Sequence, residues 1–384
     1  MDKPELTKKY KSIFKGDDLL FFFSPGRINL IGEHIDYNGG SVFPCAISLG
    51  IYAVVGIRND NLICLYSEGM DEGIDVIDLN KELTKEKKWT IYVKGVLDEL
   101  QKDGYTYKKG FNVYLFSTLP KGASLSSSAA LELLFGEIFR KIGNYNLSDL
   151  QLVKLCQRAE NNFVGIHCGI MDQFAIGMSK KNYAILLNCA SVEYEYVPLN
   201  LLNNSILILN TKKSRSLVSS KYNERFYECQ KALELINQNY RKIKYLCELS
   251  IEELKYIKIE DEVIFRRLKY VVYEQHRVMK MYDALLKGEL DKVGIILNES
   301  HESLKNDYEV TGIELDTIVE LAQKQDGVLG ARMIGAGFAG CAIALVNNDY
   351  IEDVIKNISS AYKEKIGYDC EILVSSTSDK QSEF

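Results

Sequence analysis

The apolar positions of this 384-residue chain change their period several times, and each change marks an element. Residues 19–23 (LLFFF) are continuously apolar, which predicts a buried strand, and Ser24-Pro25-Gly26 reads as the turn that stops it. A β-rich stretch follows from Val42 to Ile57, and residues 111–117 (FNVYLFS) alternate as a half-buried strand does. After Leu119-Pro120-Lys121-Gly122 the period becomes helical. Leu131, Leu134, Phe135, Ile138 and Phe139 share one face and predict an amphipathic helix over 127–141. Ser148 and Gln151 have the spacing of a capping box and open a second helix, 149–164. Residues 183–188 and 205–210 predict strands, helical patterns dominate 216–325, and a glycine-rich segment, 327–340, precedes a strand-like run, 341–346. A helix over 351–363 and a strand over 369–375 close the chain. Helices and strands mix without βαβ alternation, so the expected class is α+β, divided near residue 200 into segments 1–200 and 201–384.

Composition narrows the field by exclusion. With 46% hydrophobic and 26% charged residues the chain can build a large core, which rules out disorder, collagen and coiled coil as global descriptions. A formal charge of −6 provides no general field for nucleic acid. No apolar run approaches the ~18 residues of a membrane span, and Met1-Asp2-Lys3-Pro4-Glu5 lacks the apolar core of a secretory signal. The nine cysteines are odd in number, show no C-x-x-C pair and lie mostly in apolar runs, as reduced core thiols of a cytoplasmic protein do. The four histidines, His34, His167, His276 and His301, are too scattered for a His-rich metal site.

Three segments and two carboxylates offer chemistry. In 120–130 (PKGASLSSSAA) a glycine and three consecutive serines precede a helix start, where unpaired N–H groups favour an anion. A phosphate cradle and an ordinary capping cluster are both open readings, and the G-x-x-x-x-G-K-[ST] pattern is absent. Gly335-Ala336-Gly337-Phe338-Ala339-Gly340 matches G-x-G-x-x-G, but a strand-like run follows it rather than a helix, which argues against a dinucleotide fold. In 24–40, Arg27, Glu33, His34 and Asp36 gather beside turn residues and interleave with apolar Ile28, Leu30 and Ile31, a partly buried set suited to fixing hydroxyls and neutralising a phosphoryl group. Asp172, in the apolar setting of 168–174 (CGIMDQF), suits a base or an arginine partner. Taken by itself, Glu160 reads as a solvated helix residue.

Together these segments resemble the galactokinases of the GHMP small-molecule kinases, from about residue 20 to the C-terminus. Residues 25–40 (PGRINLIGEHIDYNGG) are similar to the galactokinase signature, 119–132 (LPKGASLSSSAALE) to the ATP-binding motif and 330–346 (GARMIGAGFAGCAIALV) to the third motif. CGIMDQF, 210–229 (NTKKSRSLVSSKYNERFYEC) and 300–310 (SHESLKNDYEV) also match, in the family's order. The resemblance implies a two-domain α+β fold: an N-terminal ribosomal-protein-S5-like domain and a C-terminal GHMP domain with the active site between them. It also implies ATP-dependent phosphorylation of the anomeric hydroxyl of α-D-galactose.

By position, the resemblance makes Asp172 and Arg27 the catalytic pair and places Glu33, His34, Ile35, Asp36, Asp172 and Tyr222 on the sugar. Gly122, Ala123, Ser124, Leu125, Ser126, Ser127 and Ser128 fall on the nucleotide, with Ser67, and Lys121 is a further basic candidate there. Ser128 and Glu160 match the Mg²⁺ ligands, which reverses the first reading of Glu160. ATP and galactose are the implied partners of a monomeric enzyme that binds neither nucleic acid nor membrane. A kinase for galactosamine, N-acetylgalactosamine, arabinose or galacturonate, and a non-catalytic sugar sensor, are the rival readings. The chain departs from the family pattern at Ser124 and Ala339 (usually glycine), at Ile334 and Ile35 (threonine), and at Ser41 and Arg215 (histidine). Loss of the hydroxyl at Ile334 is expected to alter tolerance at the sugar ring.

Overall fold

The computed structural model describes residues 2–86, 88–120, 122–166, 168–213 and 218–384, so Lys121, His167 and Arg215 lie outside the described residues. The strands are β1 (Leu19–Asn29), β2 (Ser41–Val42), β3 (Pro44–Ile57), β4 (Leu62–Ser67), β5 (Asp75–Asp78), β6 (Phe111–Ser117), β7 (Tyr183–Asn188), β8 (Tyr194–Pro198), β9 (Asn204–Asn210), β10 (Val328–Met333), β11 (Cys341–Asn347), β12 (Glu371–Ser375) and β13 (Ser382–Glu383). The helices are α1 (Lys3–Lys11), α2 (Ile91–Lys102), α3 (Ser127–Gly143), α4 (Asp149–Arg158), α5 (Met171–Met178), α6 (Val218–Asn239), α7 (Glu262–Leu286), α8 (Leu290–Ser303), α9 (Ile313–Gln323) and α10 (Ile351–Ile366).

Strand alternation sorts the side chains of the first sheet, ordered β13-β1-β3-β6-β4-β5, into two layers. Val113 and Leu115 join the main core with Leu133, Leu134 and Ile138 of α3, whereas Tyr114 points to the other face, where Leu6 and Tyr10 of α1 cover it. A second sheet, β10-β11-β9-β12, is antiparallel throughout and packs on α8 and α9, and β2-β7-β8 form a third. The first and third sheets take their strands from residues up to Pro198, except that the chain's end returns: Glu383 pairs with Phe22, and Thr377 bridges Ile47.

Three elements differ from the sequence reading. Ser24-Pro25-Gly26 is not a turn. β1 continues through it to Asn29, with a register shift between Pro25 and Arg27 against β3. A bulge tolerates proline because a ladder bond is already missing there. Gly26 is needed for close approach, since a Cβ at that position would lie 2.6 Å from Leu119 Cδ2 and 2.9 Å from the Leu125 carbonyl. The glycine-rich segment 327–340 contains β10, whose Gly330 faces Gly294 of α8. A Cβ on Gly330 would sit 2.1 Å from the Gly294 carbonyl, so this glycine serves helix-on-strand contact, while Gly335, Gly337 and Gly340 form the connection to β11. The helix opened by the Ser148–Gln151 capping box is α-helical only to Arg158, and Ala159–Val164 form a π-turn that carries Glu160. Such turns insert one residue and re-aim the side chains after them.

None of the nine cysteines, all among the described residues, forms a disulfide, and six of them are buried. No described helix is long and apolar enough to cross a membrane.

Candidate active site

The bulge in β1 turns Arg27 towards the start of α3. Its backbone N–H donates to the Leu125 carbonyl (3.2 Å) and its Nη1 to the Ser124 carbonyl (2.7 Å), so one arginine fastens the loop 122–128 from below. The remaining face of the guanidinium reaches Asp172, in the first turn of α5: Nε donates to Oδ1 at 2.8 Å and Nη2 to Oδ2 at 3.1 Å. Ser126 Oγ also donates to Asp172 Oδ2. Ser124 (φ 60°) and Ser126 (φ 58°) both adopt the left-handed region, a strained backbone for a residue with a side chain. Arg27, Asp172, the loop 122–128 and Gly335-Ala336 line a cavity of about 250 Å³ at the N-terminus of α3, the end of a helix that attracts an anion.

The 33–36 segment flanks that cavity. Glu33 is buried and accepts from Arg332 Nη2 (2.7 Å), Asn29 Nδ2 (2.7 Å) and the Gly335 N–H (2.8 Å). Burial raises its pKa above the ordinary carboxylate value, against the pull of Arg332. Arg332 of β10 is fully buried and also donates to the Leu30 carbonyl (2.7 Å), so the second sheet holds the sugar-motif loop through one side chain. His34 bridges the same two segments. Its Nε2 lies 3.1 Å from the Ala336 carbonyl and its Nδ1 2.9 Å from Tyr37 Oη. A carbonyl only accepts, so the Nε2–H tautomer is assigned and Tyr37 donates to Nδ1. Burial lowers the His34 pKa to about 4, which keeps the ring neutral at pH 7.

Asp36 is half-buried, with its Oδ2 against Gly169. Burial, and then the charges of Asp172 and Glu33, raise its pKa to about 6. The Tyr222 ring stands 5.4 Å from that of His34, and its phenol titrates well above 10 because of burial and then the charges of Asp36 and Asp172. In the π-turn, Glu160 Oε2 accepts from Gln173 Nε2 (2.6 Å) and the Cys168 thiol (3.4 Å), and the Ser128 hydroxyl lies near enough to this carboxylate to lower its pKa. Burial, and then Asp172, raise the Glu160 pKa, and burial followed by Glu160 raises that of Glu132 well above the usual value.

The structure thus gathers Arg27, Asp172 and the loop 122–128 on one cavity and ties Glu33 and His34 to its Gly335-Ala336 wall, while Asp36, Tyr222 and Glu160 stand near these groups without lining the cavity. It does not bring two other candidates there. The Ile35 side chain is fully buried in the core, and Ser67 ends β4 opposite Leu115 of β6, away from the cavity's lining. Ile334 is likewise fully buried, so its effect on a sugar would pass through packing. Sequence reasoning missed Arg332, Gln173 and Glu132 as part of the site. Arg332 had a signal, a charged residue inside the apolar run 328–334; Gln173 and Glu132 had only their places inside quoted motifs. No group of three or more His, Cys, Asp or Glu residues that could hold a metal occurs among the described residues.

Residues 8–57 match the galactokinase galactose-binding signature, residues 91–180 the GHMP kinases N-terminal domain and residues 281–364 the GHMP kinases C-terminal domain. Galactokinase of Clostridium acetobutylicum is 48% identical over 369 residues, covering 95% of this chain and 94% of that protein. The chain belongs to the galactokinase family. A galactokinase of Limosilactobacillus reuteri is 46% identical, with 96% of each chain covered. A crystal structure of Lactococcus lactis galactokinase complexed with galactose superposes with a TM-score of 0.92, at 44% identity over 99% of each chain. Methanococcus jannaschii mevalonate kinase, at 20% identity and a TM-score of 0.68, shares the fold. The galactokinase-family chain is accordingly a GHMP-type, ATP-using sugar kinase of α+β architecture, a phosphotransferase.

Proposed function

We propose that this chain transfers the γ-phosphoryl group of ATP to the anomeric hydroxyl of α-D-galactose, giving galactose 1-phosphate and ADP. The observation that carries the reading is the position of Asp172. It lies between the phosphate-binding loop and the Glu33–Asp36 segment, held by both forks of Arg27 and by Ser126. Those three donors leave one of the carboxylate's roughly four lone-pair positions for the sugar hydroxyl. Asp172 then orients that hydroxyl and takes its proton as the bond to phosphorus forms, while the ADP oxygen leaves with the electron pair of the broken bond. Arg27 stabilises charge on the transferring group and keeps the loop in place through the Ser124 carbonyl. Glu33, His34, Asp36 and Tyr222 form the sugar side, and the N–H groups of 122–128 face the nucleotide phosphates.

Ser128 and Glu160 present one hydroxyl and one carboxylate in mutual contact, the hard oxygen donors that suit Mg²⁺ with nucleotide phosphates and water completing its shell. Bound there, the cation would supply charge neutralisation on the phosphates. The proposal extends to a division into residues 1–200 and 201–384, supported by the change of sheet between Pro198 and Asn204. It also extends to a cytoplasmic monomer, supported by nine cysteines outside any disulfide and an acidic balance that suits neither nucleic acid nor an anionic membrane surface.

The test is ADP release with Mg²⁺-ATP over galactose, galactosamine, N-acetylgalactosamine, arabinose and galacturonate, with phosphorus NMR to place the ester. Galactose is expected to have the highest kcat/KM and to be esterified at C1. A different preferred sugar would move the enzyme to the rival substrate, and no turnover with any would leave a sensor. A second expectation concerns pH. With its pKa near 6, Asp36 gains the ionised form that accepts sugar hydroxyls as pH rises, so kcat/KM for galactose should climb about tenfold between about pH 5 and about pH 7. Asp36→Asn should be weaker and flat over that range; a flat wild-type profile would refute the role.

A further inference from the structure

Beneath the phosphate-binding loop lies a carboxylate that the transfer scheme does not use. Glu132 follows Ser128 by four residues on α3, so the two share a helix face, and Glu132 is fully buried. Its Oε2 accepts from Gln173 Nε2 at 3.1 Å, and the same nitrogen donates to Glu160 Oε2 at 2.6 Å. Gln173 is itself fully buried and adjoins Asp172 on α5. One amide nitrogen therefore ties α3, α5 and the π-turn together at the carboxylate read above as a cation ligand.

The arrangement is a poor one for stability alone. Glu132 Oε1 and Gln173 Oε1 are buried without a hydrogen-bond partner. Each such acceptor gives up its bonds to water without replacing them, and apolar side chains of the same volume would avoid the loss. Polar groups kept in a core at such expense point to a task, and the one in reach is the orientation of Glu160. That carboxylate stands in a π-turn and depends for its direction on donors from elsewhere: Ser128, Cys168 and Gln173.

We propose that Glu132 is a positioning residue for phosphoryl transfer, acting through Gln173 to hold Glu160 in the orientation that, with Ser128, receives the divalent cation of the nucleotide. The inference rests on the reading of Ser128 and Glu160 as cation ligands. Residues that orient a ligand from behind are worth about 10- to 100-fold in metal affinity.

The experiment measures the dissociation constant of Mn²⁺ in the presence of ADP by electron paramagnetic resonance, with thermal unfolding and steady-state kinetics on the same proteins. E132M should fold with unchanged or higher Tm, bind Mn²⁺ about 10- to 100-fold more weakly and keep its KM for galactose. E132Q, which retains the size and the acceptor, should stay within about threefold of wild type. Should E132M not fold, Q173M severs the same tie from α5 and carries the same expectation. Wild-type Mn²⁺ affinity in E132M or Q173M, with weakened binding in E160A, overturns the positioning role while sparing the cation site. Wild-type affinity in E160A removes the cation reading of Glu160, and this proposal falls with it.

Discussion

Asp172→Asn should lower kcat for galactose by about 10³- to 10⁴-fold with little loss of nucleotide binding. The substitution keeps the shape of the side chain but removes its charge and replaces one acceptor with an N–H donor. Asp172 now receives two bonds from Arg27 and one from Ser126. An asparagine can satisfy only part of that set, because its amide nitrogen must face Arg27 or Ser126, both placed to donate. Two losses then combine: the proton acceptor at the sugar hydroxyl, worth about 10²- to 10⁴-fold, and the fixed charge that aligns the Arg27 guanidinium. Nucleotide binding is spared because Arg27 keeps its bonds to the Ser124 and Leu125 carbonyls, which set the loop. Single-turnover formation of ADP, compared with the Kd for ADP, checks both halves. Activity within about tenfold of wild type would sink the assignment.

Arg332→Met should cost about 3–5 kcal/mol of folding stability and raise the KM for galactose. Arg332 is fully buried between the second sheet and the sugar-motif loop, bonded to Glu33 and to the Leu30 carbonyl. Methionine fills much of the volume, so the loss is not mainly a cavity. The variant leaves Glu33 as an uncompensated buried carboxylate and the Leu30 carbonyl without this donor. Burial already raises the Glu33 pKa, and losing the Arg332 charge raises it further, which shifts Glu33 towards its neutral acid. The double variant R332M/E33Q removes the orphan charge and should recover at least half of the lost stability in chemical denaturation, while galactose binding stays weak. No recovery in the double variant would show that the ion pair is not the source of the loss.

The period of the apolar residues revealed much of the scaffold. The strands at 111–117 and 183–188 coincide with β6 and β7, and the capping box at Ser148–Gln151 forms as its spacing requires. These elements are set by local physics: alternation places one face of a strand in the core, and a cap satisfies its own helix. The misreadings share a cause of another kind. Pro25-Gly26 and Gly330 read as breaks in the chain, yet Gly26 and Gly330 are small because a loop and a helix must come close to a strand, whereas Gly335, Gly337 and Gly340 do form the turn between β10 and β11. A residue chosen for a neighbour distant in sequence looks, in sequence, like one chosen for a turn.

The same distinction divides the site. Residue types and their order already singled out Arg27, Asp172, the serine loop and the Glu33–Asp36 segment, because phosphoryl transfer to a sugar needs charge, hydroxyl acceptors and a cradle of N–H groups, and few residue types supply them. Only the tertiary structure decided how those groups are held: that Arg27 serves the loop and Asp172 at once, that Arg332 anchors Glu33 from a strand some 300 positions away in the chain, and that Gln173 stands between two buried carboxylates. It also decided that Ile35 turns fully into the core while Asp36 stays half-buried beside Gly169. Composition and period act over a few residues, whereas hydrogen bonds and ion pairs depend on distance in space, and that distance is set only when the sheets have packed.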